Sequence, residues 1–115
     1  MKTNYSFECG RKQELLDKLS LELADILEKP IQAVMLMLSE ETMYMNHSED
    51  TVFFAEFRYV KTFSSDTEKA AFLEEFADRM LKLIRFYTGV DNHRIYMQFT
   101  EMPRDGAWKY TEKKQ

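Results

Sequence analysis

The side chains able to do chemistry are few and far apart. His47, Glu49 and Asp50 have the donor types of a metal site, but their spacing fixes no shared geometry, and the segment reads as an exposed loop. His93 stands where a strand begins and reads as a solvated turn residue. Glu40-Glu41, Glu49-Asp50 and Glu74-Glu75 pair carboxylates as acid–base chemistry would, yet neighbours in sequence point apart, so a solvated face is expected. Cys9 is the only cysteine, which rules out an internal disulfide and a paired-thiol motif; it is expected to be a small buried residue. Met35, Met37, Met43, Met45, Met80, Met97 and Met102 fall mostly on core positions, where methionine fills irregular gaps, and suggest no copper site. No Ser/His/Asp constellation, phosphate-cradling loop or dinucleotide fingerprint is present, and three glycines leave little room for one. Neither metal nor cofactor is expected.

These side chains sit on a chain of 115 residues, enough for one domain spanning 1–115 with its own core. A net charge of -4 without a basic stripe argues against nucleic acid as a partner. The opening MKTNYSFECGRK has no apolar signal core, and no stretch approaches the roughly 20 apolar residues that span a bilayer. A soluble cytoplasmic protein with no membrane partner is expected. The triplets Asn4-Tyr5-Ser6 and Asn46-His47-Ser48 then match a glycosylation site only by coincidence.

The elements that would position the side chains follow from hydrophobic period. Thr3, Tyr5 and Phe7 alternate with polar residues as in a half-buried strand, a parity that turns Met1 toward the core. Gly10 breaks that strand. Leu15, Leu16, Leu19, Leu23, Ile26 and Leu27 recur at spacings of three and four, an amphipathic helix over 11–28 that Pro30 ends. The apolar run 31–38 predicts a strand buried on both faces, and 39–50 a polar connection. Residues 51–63 predict a third strand. Ser65-Asp66-Thr67-Glu68 has the form of a capping box opening a second helix, with Phe72, Leu73, Phe76, Met80, Leu83, Ile84 and Tyr87 on one face and Thr88-Gly89 as its stop. Residues 93–100 predict a fourth strand, a turn at Pro103, Asp105 and Gly106 precedes the short stretch 107–110, and 111–115 is expected to fray. The fold class is α+β: a βαββαβ two-layer sandwich with a four-stranded mixed sheet and both helices on one face. Since the strands at 31–38 and 51–63 read as apolar on both sides, an oligomer is expected to cover the other face.

Several short blocks, in this order on these elements, resemble the tautomerase superfamily and within it the macrophage migration inhibitory factor family. Glu28-Lys29-Pro30 resembles its Gly-Lys-Pro, and Met43-Tyr44-Met45-Asn46-His47-Ser48 its Met-x-Phe-Gly-Gly-Ser. His93-Arg94-Ile95-Tyr96-Met97-Gln98-Phe99 resembles Asp-Arg-Val-Tyr-Ile-x-Phe, and Gly106-Ala107-Trp108 a Gly-Trp near the family's C-terminus. The resemblance implies a homotrimer and keto–enol tautomerisation of compounds such as phenylpyruvate, with an N-terminal proline amine as base. An α-amine with a pKa of about 8 becomes a base near neutrality once an apolar pocket disfavours its cation.

Here the second residue is Lys2, so the resemblance puts the amine of Met1 in the proline's place, without the ring that directs its lone pair. It also implies Lys29 as the cation for a substrate carboxylate, Val60 as the branched residue whose amide faces the pocket, and Tyr96 as a tyrosine contributed by a neighbouring subunit. The expected ligand is a small α-keto acid or aromatic compound at subunit interfaces. Each residue has a plainer reading. A lysine before a helix-ending proline suits the helix dipole and solvent, and a tyrosine in an alternating strand suits a core or an interface. Two function classes follow: a trimeric binding or interaction module whose proline-based catalysis is lost, or a working isomerase that uses the Met1 amine.

Overall fold

The sheet is built on strands β3 (Phe53–Tyr59) and β4 (Ile95–Glu101), parallel and in register from Phe53 opposite Ile95 to Tyr59 opposite Glu101. Parallel neighbours need a crossover, which helix α2 (Asp66–Thr88) supplies. On the other side of β3, β1 (Lys2–Thr3) runs antiparallel, with Lys2 opposite Phe54. Beyond it, β2 (Ser39–Glu40) is parallel to β1 and is reached through helix α1 (Arg11–Ile26). The order β2-β1-β3-β4 in a mixed sheet with two helices is the α+β plan expected. This computed structural model describes residues 1–106 and 108, so the stretch expected at 107–110, Trp108 apart, and the frayed end at 111–115 lie outside the described residues.

Local chemistry sets the helix ends. Ser65 Oγ accepts from the amide of Glu68 at 3.1 Å, opening α2 as the capping box predicts. The returning Glu68 carboxylate takes the amide and hydroxyl of Ser64, one residue earlier than expected. Gly89, at φ 66, closes α2 in the left-handed conformation by donating to Arg85 O at 2.8 Å. Helix α1 ends at Ile26, before Pro30 can act: Glu28 N donates to Asp25 O at 3.2 Å and Lys29 N to Ala24 O at 3.0 Å, a Schellman closure with Glu28 at φ 54.

Both helices bury one stripe on the same sheet face. Leu15, Leu19 and Leu23 of α1 and Phe76, Met80 and Ile84 of α2 meet Phe53, Ala55, Phe57 and Tyr59. Phe76 lies at the centre, its ring 4.9 Å from those of Phe57 and Phe99. Arg79 ties the helices together, donating to Glu22 at 2.6 Å and to Asp25 at 2.8 Å.

Four expectations are corrected. The run 31–38 is a 3₁₀ turn (Ile31–Ala33) followed by an extended segment, and it is not buried on both faces. Val34, Leu36 and Leu38 pack on the core, while Met35 and Met37 are 80% and 70% exposed. A run without polar residues carries no parity, so the sequence could not show which face is covered. The third strand contracts to Phe53–Tyr59 and alternates, sending Glu56 and Arg58 to the outer face. The first strand keeps Thr3 and Met1 turned inward but stops at Thr3, because Asn4 leaves the ladder to bind the 49–52 backbone with its side chain. Cys9 is exposed, in the turn before α1, where no apolar stripe reaches it.

Candidate functional site

The amine of Met1 donates to Met37 O at 2.8 Å, and Met1 O accepts from Ser39 N at 3.1 Å. Met1 is half-buried, with its side chain on the core. Burial, and then the cation of Lys2, hold the amine below its usual value, against an opposing pull from the Glu56 carboxylate. A neutral amine there is a candidate base.

Strand register fixes where that base stands. Lys2 faces Phe54 and Thr3 faces Phe53, so one further step sets Met1 opposite Ala55. Val60 lies five residues further along, about 17 Å at the rise of a strand. It is half-buried and lines an open cleft of ≈ 570 Å³ at the ends of β3 and β4, together with Lys61, Ser65, Lys69, Glu101 and Arg104. Met1, Lys29 and Tyr96 do not line that cleft. Lys29 is exposed, held by the Schellman closure at the end of α1. Tyr96 is on the outer sheet face, 58% exposed, stacked on Phe54 with ring centroids 5.7 Å apart. A single chain thus gathers Lys2, Phe54 and Tyr96 in one outer row, and does not gather Met1, Lys29, Val60 and Tyr96 around one cavity.

Sequence reasoning missed the residues that build the loop flanking this end of the sheet. The Arg94 guanidinium donates to four carbonyls: Met45 at 2.9 Å, Asp50 at 2.9 Å, Ser48 at 3.1 Å and Thr51 at 3.2 Å. Asn4 Nδ2 donates to Glu49 O at 2.8 Å, and Asn4 Oδ1 accepts from Val52 N at 2.8 Å. Thr3, fully buried, donates its hydroxyl to Val52 O at 2.7 Å. The available signal was a Thr3-Asn4 polar pair inside an apolar alternation. At the loop's tip, Met45 and Ser48 exchange both backbone hydrogen bonds around Asn46 and His47, at φ 51 and 58. Two successive left-handed residues make the tight turn for which glycine is favoured, and they stand where the resembled family has its glycine pair. The four-residue geometry survives without them.

Two crossover units on one mixed sheet, with a short inner β1, define a MIF-like tautomerase fold. Solved structures agree. The chain is similar to the macrophage migration inhibitory factor homologue of Prochlorococcus marinus, at 20% identity and TM-score 0.78 over 96% of this chain and 91% of that one. It is also similar to the macrophage migration inhibitory factor-like protein of Entamoeba histolytica, at 19% and 0.77 over 96% and 90%, and to the factor of Toxoplasma gondii, at 20% and 0.75 over 97% and 94%. A further structure of this fold, at 14% and 0.68 over 90% and 83%, is of a protein inactivated by 2-oxo-3-pentynoate. No protein-family model and no curated protein matches the sequence significantly. Among the described residues, no helix is long and apolar enough to cross a membrane.

Proposed function

We propose that this chain forms a MIF-like homotrimer in which proline-based keto–enol tautomerase activity is lost or much weakened, and that it acts as a small-molecule-binding or interaction module. The observation that carries this reading is the position of the Met1 amine, opposite Ala55 and hydrogen-bonded to Met37 O, about 17 Å of strand away from Val60. Proton transfer needs the base within hydrogen-bond reach of the reacting carbon acid, and displacements near 1 Å already cost rate.

Self-association is supported by the outer sheet face, where Met35 and Met37 are 80% and 70% exposed and Tyr96 is stacked on Phe54. A neighbour seated there brings its Tyr96 toward Lys29 and Val60 of the first chain. Lysine, branched apolar residue and phenol suit a small α-keto acid or aromatic ligand. The protein that shares this fold and is inactivated by 2-oxo-3-pentynoate, an α-keto acid, supports that ligand class. No cofactor is needed, nucleic acid is disfavoured by the charge of -4, and a cytoplasmic location belongs to the same proposal.

One observation favours the second reading, an active isomerase with the Met1 amine as base: burial lowers that amine's pKa. Phenylpyruvate tautomerisation by the purified chain separates the two. The module reading expects a rate unchanged by acetylating the N-terminus; turnover that acetylation abolishes overturns it.

A further inference from the structure

Lys61 holds its ammonium over two aromatic rings, 5.1 Å from the centroid of Phe72 and 5.9 Å from that of Phe63. The two rings lie 5.2 Å apart and line an open cleft of ≈ 460 Å³ between the end of α1 and the N-terminal half of α2. That volume is in the range of small-molecule sites. Since the face of a ring attracts a cation, the cleft already accommodates one, and it is the chain's own.

The walls carry more negative charge than this cation answers. Asp25, Glu28, Glu68 and Glu75 line the cleft against Lys61 and Arg79, a surplus of two negative charges. Arg79 is engaged by Glu22 and Asp25 and stands 4.0 Å from Glu75. Glu68 accepts from the amide and hydroxyl of Ser64, neither of which carries a charge. Glu28 has no counter-ion among the described residues, and its backbone is held at φ 54, where glycine would rest without strain. A side chain kept at such a position, with its carboxylate on a cleft, points to a task for the carboxylate.

Spacing along α2 specifies the shape of the ligand. Glu68, Ala71, Phe72 and Glu75 share one face, and the two carboxylates stand two turns apart, ~10 Å along the axis, with Ala71 and Phe72 between them. Ile26 of α1 adds apolar surface opposite. The complement is a flexible methylene chain with cations at its ends. A lone metal ion would meet one carboxylate and leave the apolar stretch uncovered.

We infer that the cleft between the end of α1 and the N-terminal half of α2 is a binding site for an aliphatic polyamine, its methylenes on Phe72 and Ile26 and its ammonium groups among Glu28, Glu68 and Glu75. This site lies in the helix layer of a single chain. It goes beyond a small-molecule site between subunits and does not depend on one.

Spermidine is the probe, measured by calorimetry at physiological salt and by amide chemical shifts on the full chain. Saturable binding is expected, with shifts confined to 25–29, 61–64 and 68–79. Glu28→Gly and Glu75→Gln are each expected to weaken it about tenfold, the scale of one charge-assisted contact. Glu28→Gly should do so while raising the urea midpoint, which separates loss of the ligand from loss of the fold. Lys61→Met keeps an apolar side chain on the rings and removes the competing ammonium, so spermidine should bind about tenfold tighter. Lys82→Met removes the same charge outside the cleft, from a pair with Asp78, and should change the affinity little. A titration without saturation, shifts elsewhere, undiminished binding to Glu28→Gly, or equal effects of Lys61→Met and Lys82→Met overturns the inference. So does magnesium that displaces spermidine at equal concentration, which would reduce the site to a diffuse negative surface.

Discussion

The Met1 amine donates to the Met37 carbonyl at 2.8 Å, tying the residue before β1 to the extended segment that leads into β2. The amine is tethered to the extended segment that leads into β2 and is half-buried, so its protonation is coupled to the fold. Its pKa is lowered, chiefly by burial. The folded state therefore binds this proton less well than the unfolded state, and stability rises with pH from the lowered folded value up to the ordinary value near 8.0, then levels. Competitive acetylation of the α-amine against pH should give a midpoint below 8.0 in the folded chain, and the ordinary value in urea.

Replacing Lys2 by proline, so that Met1 is removed and a prolyl amine exposed, is expected to bring no gain in phenylpyruvate turnover. Residue 2 faces Phe54, one step further from Val60 than Met1. A large gain in rate would place the reacting centre near Ala55 instead.

Glu28 and His47 are strained by conformation rather than by contact, at φ 54 and 58. Glycine at either site removes about 1–2 kcal/mol of left-handed penalty and returns about half of it as unfolded-chain entropy. Glu28→Gly and His47→Gly should each raise stability by up to ~1 kcal/mol, seen as a higher urea midpoint with unchanged slope.

Thr3→Val keeps the shape and strands two backbone groups, the buried Val52 O, which accepts from Thr3 at 2.7 Å, and the half-buried Tyr5 N, which donates to it at 3.1 Å. A loss of about 1–3 kcal/mol is expected in chemical denaturation. Phe76→Ala, at the centre of the aromatic cluster and fully buried, should cost about 3–5 kcal/mol.

Arg94→Lys leaves a point charge where a planar fork holds four carbonyls. Faster amide exchange confined to residues 45–52 is expected, with the melting temperature little changed.

Sequence alone determined the element order, both helices and the side each turns inward, because a stripe repeating every three or four residues has one way to be buried. The Ser65 cap and the Gly89 stop were legible for the same local reason, and so was the inward parity of Met1 and Thr3. What tertiary structure decided is relational. No local pattern says that Asn4 binds the 49–52 backbone and so ends β1 at Thr3, or that Met35 and Met37 face outward from a run without polar residues. The separation of Met1 from Val60 is of this kind. It depends on the register between two strands about fifty residues apart in sequence, which is set by the bonds that the Val52 backbone makes, its carbonyl accepting from Thr3 and its amide donating to Asn4. The residue types of a site can be read along a chain, but the distances between them belong to the sheet.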